Sequence, residues 1–479
     1  MGILSGSSLR RLRLGGAAAC VETDFAVKTP KEFEQDLMNS FEISDRFVRY
    51  YQNRGFELLP SASLLDPSIP MTFVMSAGLV QVEMSLDQFG HSNGDSFVLC
   101  QKCFRHFDLD NIGKSNVHLS LFEMPGAFTF GSNGKATTIQ QMWELITKAL
   151  EMDPAYLWVT YFAGGTKGGH PFPRDVETYQ AWRRIGLPAE RIVALGPGDN
   201  FWMQGGGIDG HEPSPKCGPN TEVFFDRGEV LRCSAECRPG CRCGRFIEFA
   251  NSLFIFAEVD EETKALRPMD RPFDETVIGT ERVAMISQSK ASVFEVDCIQ
   301  PLVDKVRSFC NGSDADDWTD RAAQIISDYV RALLFLVADG APPPGKGGRQ
   351  RIVKLLIRRV VTQQRILSIS TSDFLPELIE TVIATYGERY PELADGRQLL
   401  LDYFADERAR FEKTLQKGYR RLDRLVQTSR QAPSGEQIVD LVKKHGFPLP
   451  LIKVALHQRE LNFPDQAYQN ALIEWRESL

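Results

Sequence analysis

The spacing of apolar residues changes near residue 310, and that change limits what each part of the chain can fold into. Downstream, Ile325, Ile326, Val330, Leu333, Leu334 and Val337 recur at three- and four-residue intervals, as do Val353, Leu356, Ile357 and Val360. Such spacing puts one apolar stripe on a helix. Helical spacing continues through 375–386, 398–430 and 436–444. Upstream, strand-length runs alternate with single helices. Residues 31–55 read as a helix through Phe33, Leu37, Phe41, Phe47 and Tyr51, and 138–152 as a second. Strands are expected over 56–58, 71–75, 157–162, 222–225, 246–258 and 275–283, the last running into a helix through Ser289. Residues 96–103 and 118–123 read as the arms of a hairpin, with Arg105 at its inner end and loop chemistry at 108–113 between them. The expectation is an α+β domain over 31–310 followed by an all-α domain over 311–479, with no internal repeat. Residues 1–30, small-residue-rich and carrying Arg10, Arg11 and Arg13, read as a disordered tail rather than a secretory signal.

The chain of 479 residues has a net charge of -8, which argues against a protein that coats nucleic acid and leaves room for one local basic face. No run approaches the ~20 apolar residues that cross a bilayer. Ten cysteines in so long a chain favour a reducing, cytoplasmic setting over a disulfide framework. Four of them, Cys233, Cys237, Cys241 and Cys243, fall within eleven residues, separated by turn formers in an insertion spanning 228–245. Four thiolates so spaced can wrap a tetrahedral, structural Zn²⁺; free or disulfide-bonded cysteines are the alternative.

Two arginines stand in apolar stretches: Arg105 after Phe104, and Arg282 closing Gly279-Thr280-Glu281-Arg282. An unpaired guanidinium is costly to bury, so each grips an anion. That anion is a core carboxylate or, where two arginines converge, a phosphate ester. A basic stretch of Lys346, Arg349, Arg351, Lys354, Arg358 and Arg359 follows Pro342-Pro343-Pro344-Gly345. On the residues alone it reads as a solvated helix face.

Collinear segments carry a resemblance. They include Gln101-Lys102-Cys103-Phe104-Arg105, the run from Phe122 to Gly131, Asp199-Asn200-Phe201-Trp202, and Cys217-Gly218-Pro219-Asn220-Thr221-Glu222-Val223. Residues 248–254, Gly279 to Arg282, Ala338-Asp339-Gly340 and His445-Gly446-Phe447-Pro448 continue the series. In this order they resemble the class II aminoacyl-tRNA synthetases, and within them the catalytic region of alanyl-tRNA synthetase. The resemblance implies an antiparallel sheet of six or seven strands that carries ATP with Mg²⁺ and an amino acid and forms an acyl-adenylate. It places Arg105 on the α-phosphate and substrate carboxylate, Arg282 on the far phosphates or the other side of the adenosine, His118 on the γ-phosphate, Phe122 on adenine and Asp108 in the ATP site. A satisfied core histidine and a plain core aromatic remain the alternatives for His118 and Phe122. Trp202, Asn251, Leu253, Glu275 and Val277 fall in the amino-acid pocket, with Asn251 and Glu275 toward the ammonium; a Glu275 paired with a nearby lysine or arginine is the alternative. Glu275, Val277 and Ala250 depart from the family's Asp, Gly and Trp, so the pocket is expected to be reshaped.

By the same resemblance the helical domain grips a tRNA acceptor stem through Lys346, Arg349, Arg351, Lys354, Arg358 and Lys443. Lys346 and Lys443 stand where the family has an asparagine and an aspartate, favouring backbone attraction over base reading. No HxxxH motif of an editing domain occurs. The expectation is a specialised paralogue, monomeric or weakly dimeric, acting on tRNA. A biosynthetic ligase with another acyl acceptor and an idle regulatory homologue are the alternatives.

Overall fold

The computed structural model describes residues 38–66, 74–79, 81–82, 95–131, 133–204, 215–260, 263–310, 317–429 and 431–478. Residues 38–479 form one compact unit. The tail at 1–30, residues 71–73 of an expected strand, and the start of the first expected helix lie outside the described residues.

A mixed sheet organises the first part. Its strands are β1 (Glu57–Leu58), β2 (Ser96–Phe104), β3 (Leu121–Phe130), β4 (Leu157–Phe162), β7 (Ile192–Leu195), β8 (Phe201–Met203), β9 (Lys216–Asp226), β10 (Phe246–Val259) and β11 (Leu266–Ile278). The order is β1-β2-β3-β11-β10-β9-β4-β7, with β8 on β9 and a separate hairpin of β5 (Gly165–Lys167) and β6 (His170–Phe172). The sheet therefore has nine strands, more than the resemblance implied. The pairings β1–β2 and β4–β7 are parallel, so only its centre is purely antiparallel. The expected hairpin arms do pair, from Ser96↔Thr129 to Phe104↔Leu121. The strand expected to run to 283 stops at Ile278, and α4 (Thr280–Ser287) follows after Gly279.

Strand alternation sorts the residues onto two faces. Ile278, Ala127 and Val98 face a large core shared with α1 (Ser40–Gln52) and α4. Val277, Glu275, Gly126, Phe128 and Leu99 face the other way, where Phe97, Phe128, Leu253 and Phe273 form a smaller apolar cluster. The expected helix at 138–152 is α2 (Lys135–Glu144), which widens into a π turn over Leu145–Ala149. The remaining helices of the first part are α3 (Val176–Ile185) and α5 (Gln300–Ser308).

Beyond residue 316 the described chain is helical: α6 (Asp317–Ala338), α7 (Gly348–Ile366), α8 (Phe374–Tyr386), α9 (Leu393–Ser429), α10 (Gly435–Lys443), α11 (Leu449–His457) and α12 (Asp465–Glu477). Among the described residues no helix is long and apolar enough to cross a membrane.

Helix α6 braces the hairpin from behind. Both carboxylate oxygens of Asp328 accept from the Ser120 backbone N–H at 3.1 Å, and the Tyr329 hydroxyl donates to the Leu109 carbonyl at 2.8 Å. Gly113, at φ +70°, lets the loop after Arg105 lie on this helix; a Cβ there would come within 2.9 Å of Arg321 Cγ and 3.2 Å of its carbonyl oxygen. On β2, Lys102 pairs with Asp339 at 3.1 Å, and Asp339 also accepts from the Leu64 backbone N–H at 2.6 Å. These contacts fix where the hairpin turns, and hence where Arg105 emerges.

Candidate active site

The inner end of the hairpin and the junction of β11 with α4 meet around one cavity. Its lining includes Arg105, Asp108, His118, Phe122, Glu248, Asn251, Val277 and Arg282. The two arginines, 177 positions apart in sequence (282 − 105), thus face a common space.

Arg105 leaves the end of β2, where its Nε donates to the Ser76 carbonyl at 3.4 Å and its guanidinium lies 4.9 Å from the Phe122 ring centroid. A long neutral hydrogen bond and a ring contact leave most of its charge for an incoming anion. Arg282 sits in the first turn of α4. Its Nη1 donates to the Glu248 carbonyl at 2.9 Å and pairs with a Glu248 carboxylate oxygen at 3.3 Å, while Nε donates to the Val117 carbonyl at 3.2 Å. It therefore joins β10 to the hairpin loop and is held in a fixed pose. His118 Nδ1 is 2.6 Å from Ser115 Oγ. Burial, with Arg282 and Arg105 adding, holds the His118 imidazole below its ordinary range, against weaker opposition from Asp108 and Glu248. A neutral ring is what that environment favours. Phe122, half-buried, lines the cavity beside Arg105.

On the open face of the sheet, Asn251 pairs across strands with Val277 and with Glu222, and Leu253 pairs with Glu275 and with Asn220. Of the five residues expected in an amino-acid pocket, Asn251 and Val277 line the cavity. Trp202 and Leu253 pack in the neighbouring apolar cluster. Glu275, 3% exposed, lies one register step past Val277, between Leu253 and Phe128 on the flanking strands. The structure thus brings Arg105, Asp108, His118, Phe122, Asn251, Val277 and Arg282 together, and leaves Trp202, Leu253 and Glu275 outside the cavity wall.

Residues not singled out from the sequence complete the surroundings. Glu248 lines the cavity and positions Arg282. On β9, Glu222 pairs across strands with Asn251, and the Asn220 amide donates to Asn251 Oδ1 at 3.3 Å. Period-2 alternation along the Cys217 to Val223 segment would have put Asn220 and Glu222 on the same face, but alternation cannot say which strand lies next to it.

The cysteine-rich insertion also closes on itself. The sulfurs of Cys233, Cys237 and Cys241 lie within 4.8 Å of one another, and Cys237 Sγ is 3.6 Å from Cys243 Sγ. The Cys233 backbone N–H and neighbouring thiols pull the Cys237 thiol down to about 7. Arg245, paired with Asp226 at 2.6 Å and Glu229 at 2.7 Å, ties the base of the insertion to β9.

The basic residues of the helical part separate into two groups. Arg349 donates to the carbonyls of Leu65 and Asp66 at 3.1 Å, Arg358 pairs with Glu407 at 2.6 Å, and Arg359 pairs with Asp110 at 2.6 Å. These three arginines are committed to internal contacts. Lys346, Arg351 and Lys354, at or before the N-terminal turns of α7, have no side-chain partner among the described residues. Lys443 lies over the Trp475 ring, 5.1 Å from its centroid.

A sheet with an antiparallel centre thus brings two distant arginines to one cavity, and sequence comparison identifies the family. The profile of the tRNA synthetases class II (A) family matches residues 42–478, and the chain belongs to that family. It is similar to curated alanine--tRNA ligases. That of Alkaliphilus oremlandii (strain OhILAs) is 31% identical over 443 residues, covering 91% of this chain and 48% of the relative. That of Pelotomaculum thermopropionicum is 33% identical over 447 residues, 92% of this chain and 49% of the relative. That of Dehalococcoides mccartyi (strain CBDB1) is 33% identical over 420 residues, 87% and 46% respectively. The chain spans about half the length of the curated relatives it matches.

Proposed function

We propose that this chain activates an amino acid with ATP, as an acyl-adenylate, and transfers it to the 3′ end of a tRNA. The observation that carries the reading is the convergence of Arg105, His118, Phe122, Asn251 and Arg282 on one cavity. In the reaction a carboxylate oxygen attacks the α-phosphorus of ATP in line with departing pyrophosphate. That step calls for positioning and charge neutralisation rather than a protein nucleophile. Arg105 holds the α-phosphate and the attacking carboxylate, Arg282 and the neutral His118 hold the outer phosphates, and the Phe122 ring stacks on adenine. ATP enters with its Mg²⁺, which supplies the countercharge that two guanidinium groups cannot. Amino-acid-dependent exchange of pyrophosphate into ATP, screened over the proteinogenic acids, tests this; no exchange with any acid refutes it.

For the acceptor, Lys346, Arg351 and Lys354 offer unpaired charge at the start of α7, where the helix dipole adds to it. Replacing all three by alanine should leave pyrophosphate exchange intact and weaken tRNA binding. The slope of log affinity against log salt should fall by about 0.7 to 0.9 per phosphate contact removed. An unchanged slope would take these side chains out of the tRNA interface.

The four cysteines suit Zn²⁺, because three of their sulfurs already lie within 4.8 Å of one another and the fourth is 3.6 Å from Cys237 Sγ, close enough to share one tetrahedral ion. Cys233, Cys237, Cys241 and Cys243 would fill all four positions, leaving a structural ion with no part in the reaction. Purified protein should carry about one zinc per chain and lose it on Cys237→Ser. Zinc-free protein with four titratable thiols in this segment would rule the site out.

A further inference from the structure

Two successive turns build the cysteine-rich insertion. The Cys237 N–H donates to the Ser234 carbonyl at 3.2 Å, and the Cys241 N–H donates to the Arg238 carbonyl at 3.0 Å. Each turn lies between consecutive cysteines, and Gly240, at φ +97°, lets the second reverse tightly. One side of the folded turns is apolar: Cys237, 7% exposed, packs with Phe224 and Phe246, and Trp158, Cys241 and Cys243 border the same cluster. That packing decides where the insertion sits. Phe224 is two residues from Glu222 on β9, so both project from one face of the sheet, and Glu222 pairs with Asn251 of the cavity. Two strand residues span about 7 Å, so the insertion stands on the open face close beside the cavity. Its foot reports the same neighbourhood. Burial pulls the Arg227 guanidinium down while Glu295 pulls it the other way, and Glu295 follows the cavity residue Val293 by two positions.

The exposed side of the insertion carries unspent charge. Three of the five arginines from Arg227 to Arg245 have partners. Arg245 pairs with Asp226 and Glu229, Arg232 donates to Glu229 at 3.1 Å, and Arg227 donates to the Gly244 carbonyl at 3.5 Å. Arg238 and Arg242 are exposed and have no side-chain partner among the described residues. A β-turn keeps its ends within about 7 Å, so the turn from Arg238 to Cys241 holds the two arginines near each other. Glu236, an acid without a side-chain partner among the described residues, belongs to the first turn rather than to this one.

We propose that Arg238 and Arg242 form a docking surface for the single-stranded 3′ end of the acceptor tRNA, gripping phosphates just before the terminal nucleotide. This rests on the transfer reading and goes beyond it by giving the insertion a partner. Charge complementarity carries the choice of occupant. Acids outnumber bases 63 to 55 in this chain, so internal pairing was open to both arginines, yet both stay unpaired on a pinned turn. Guanidinium groups so placed suit phosphates, and a turn fixed beforehand loses little freedom on capture. Position agrees with charge. A terminal hydroxyl that takes an acyl group inside the cavity leaves the preceding nucleotides against whatever borders the cavity's open face.

Unfractionated tRNA, either intact or shortened at its 3′ end by phosphodiesterase, titrated into the full chain by fluorescence anisotropy, tests the assignment. Wild type should bind intact tRNA about 10-fold more tightly than shortened tRNA. The double variant Arg238→Gln/Arg242→Gln should lose that preference while its affinity for shortened tRNA stays at the wild-type value. Its slope of log affinity against log salt for intact tRNA should be shallower by about 1.4, at about 0.7 per single-strand phosphate contact. Arg238→Lys/Arg242→Lys, which keeps the charge, should recover most of the preference, and both double variants should keep the wild-type urea midpoint. A preference for intact tRNA that survives the glutamine variant overturns the assignment and leaves the transfer reading standing. An equal loss for intact and shortened tRNA also overturns it, because the arginines then touch some other part of the molecule or only support the fold. If wild type binds neither form, transfer to tRNA is itself refuted, and the docking surface with it.

Discussion

Arg105→Ala should lower amino-acid-dependent pyrophosphate exchange by about 10³-fold while the protein stays folded. A single preorganised donor removed from a reacting centre typically costs 10²- to 10³-fold, and a guanidinium that serves both the phosphate and the attacking carboxylate belongs at the upper end. The structure explains why stability should be spared. Arg105 makes no ion pair among the described residues, and its 3.4 Å hydrogen bond to Ser76 is long. Its contact with the Phe122 ring is worth about 0.5–1 kcal/mol at a partly exposed site. Exchange rates and a urea unfolding curve on the same preparation check both halves. Near-normal exchange would remove Arg105 from the reaction. A collapsed unfolding midpoint would mean that its role is architectural.

How much of this was legible beforehand depended on which physical rule governed each element. Isolated amphipathic helices and strand runs follow local periodicity, so 157–162 was placed to the residue and the first hairpin arm to within one, while the second arm runs on to Phe130, past the expected end at 123. Periodicity gave no sign of β7 and β8, which are only four and three residues long, too short for alternation to register, and which join the sheet through partners distant in sequence. The arginines of the cavity were legible because a guanidinium in an apolar run is chemically conspicuous. Trp202, Leu253 and Glu275 were grouped with them by resemblance, and they lie outside the lining of the cavity. Within the basic stretch, sequence could not divide Arg349, Arg358 and Arg359 from Lys346, Arg351 and Lys354. That division is made by Leu65, Glu407 and Asp110, which are 284, 49 and 249 positions away from the first three in turn.

Arg331 should prove to be the strongest single determinant of stability among the charged residues discussed. It lies on α6 at 1% exposure, between Asp328 at 0% and Glu281 at 4%. Its Nη2 donates to the Leu121 carbonyl and pairs with Asp328 at 3.3 Å; its Nη1 donates to the Tyr386 hydroxyl at 2.9 Å and stands 3.8 Å from Glu281. One guanidinium thus connects α6, α8, the first residue of β3 and the helix that carries Arg282. Glu281 is already pushed up to about 7 by burial, against the pull of Arg331. Arg331→Leu keeps much of the volume but strands two buried carboxyls, so unfolding free energy should fall by about 3–5 kcal/mol. With the guanidinium gone, Glu281 and Asp328 should both be pushed further upward. Each then binds protons in the folded state at a pH where the unfolded chain, with ordinary carboxyls, has released them. Stability of the variant should accordingly decline as pH rises from about 5 to 8, more steeply than in wild type. Urea midpoints across that range, for wild type and variant, read both effects. A loss under about 1 kcal/mol, or parallel pH profiles, would show that water or a neighbouring group replaces the guanidinium. Because Glu281 immediately precedes Arg282, the same substitution should also weaken ATP use, reporting how far the buried network behind the sheet fixes the phosphate-binding side in front of it.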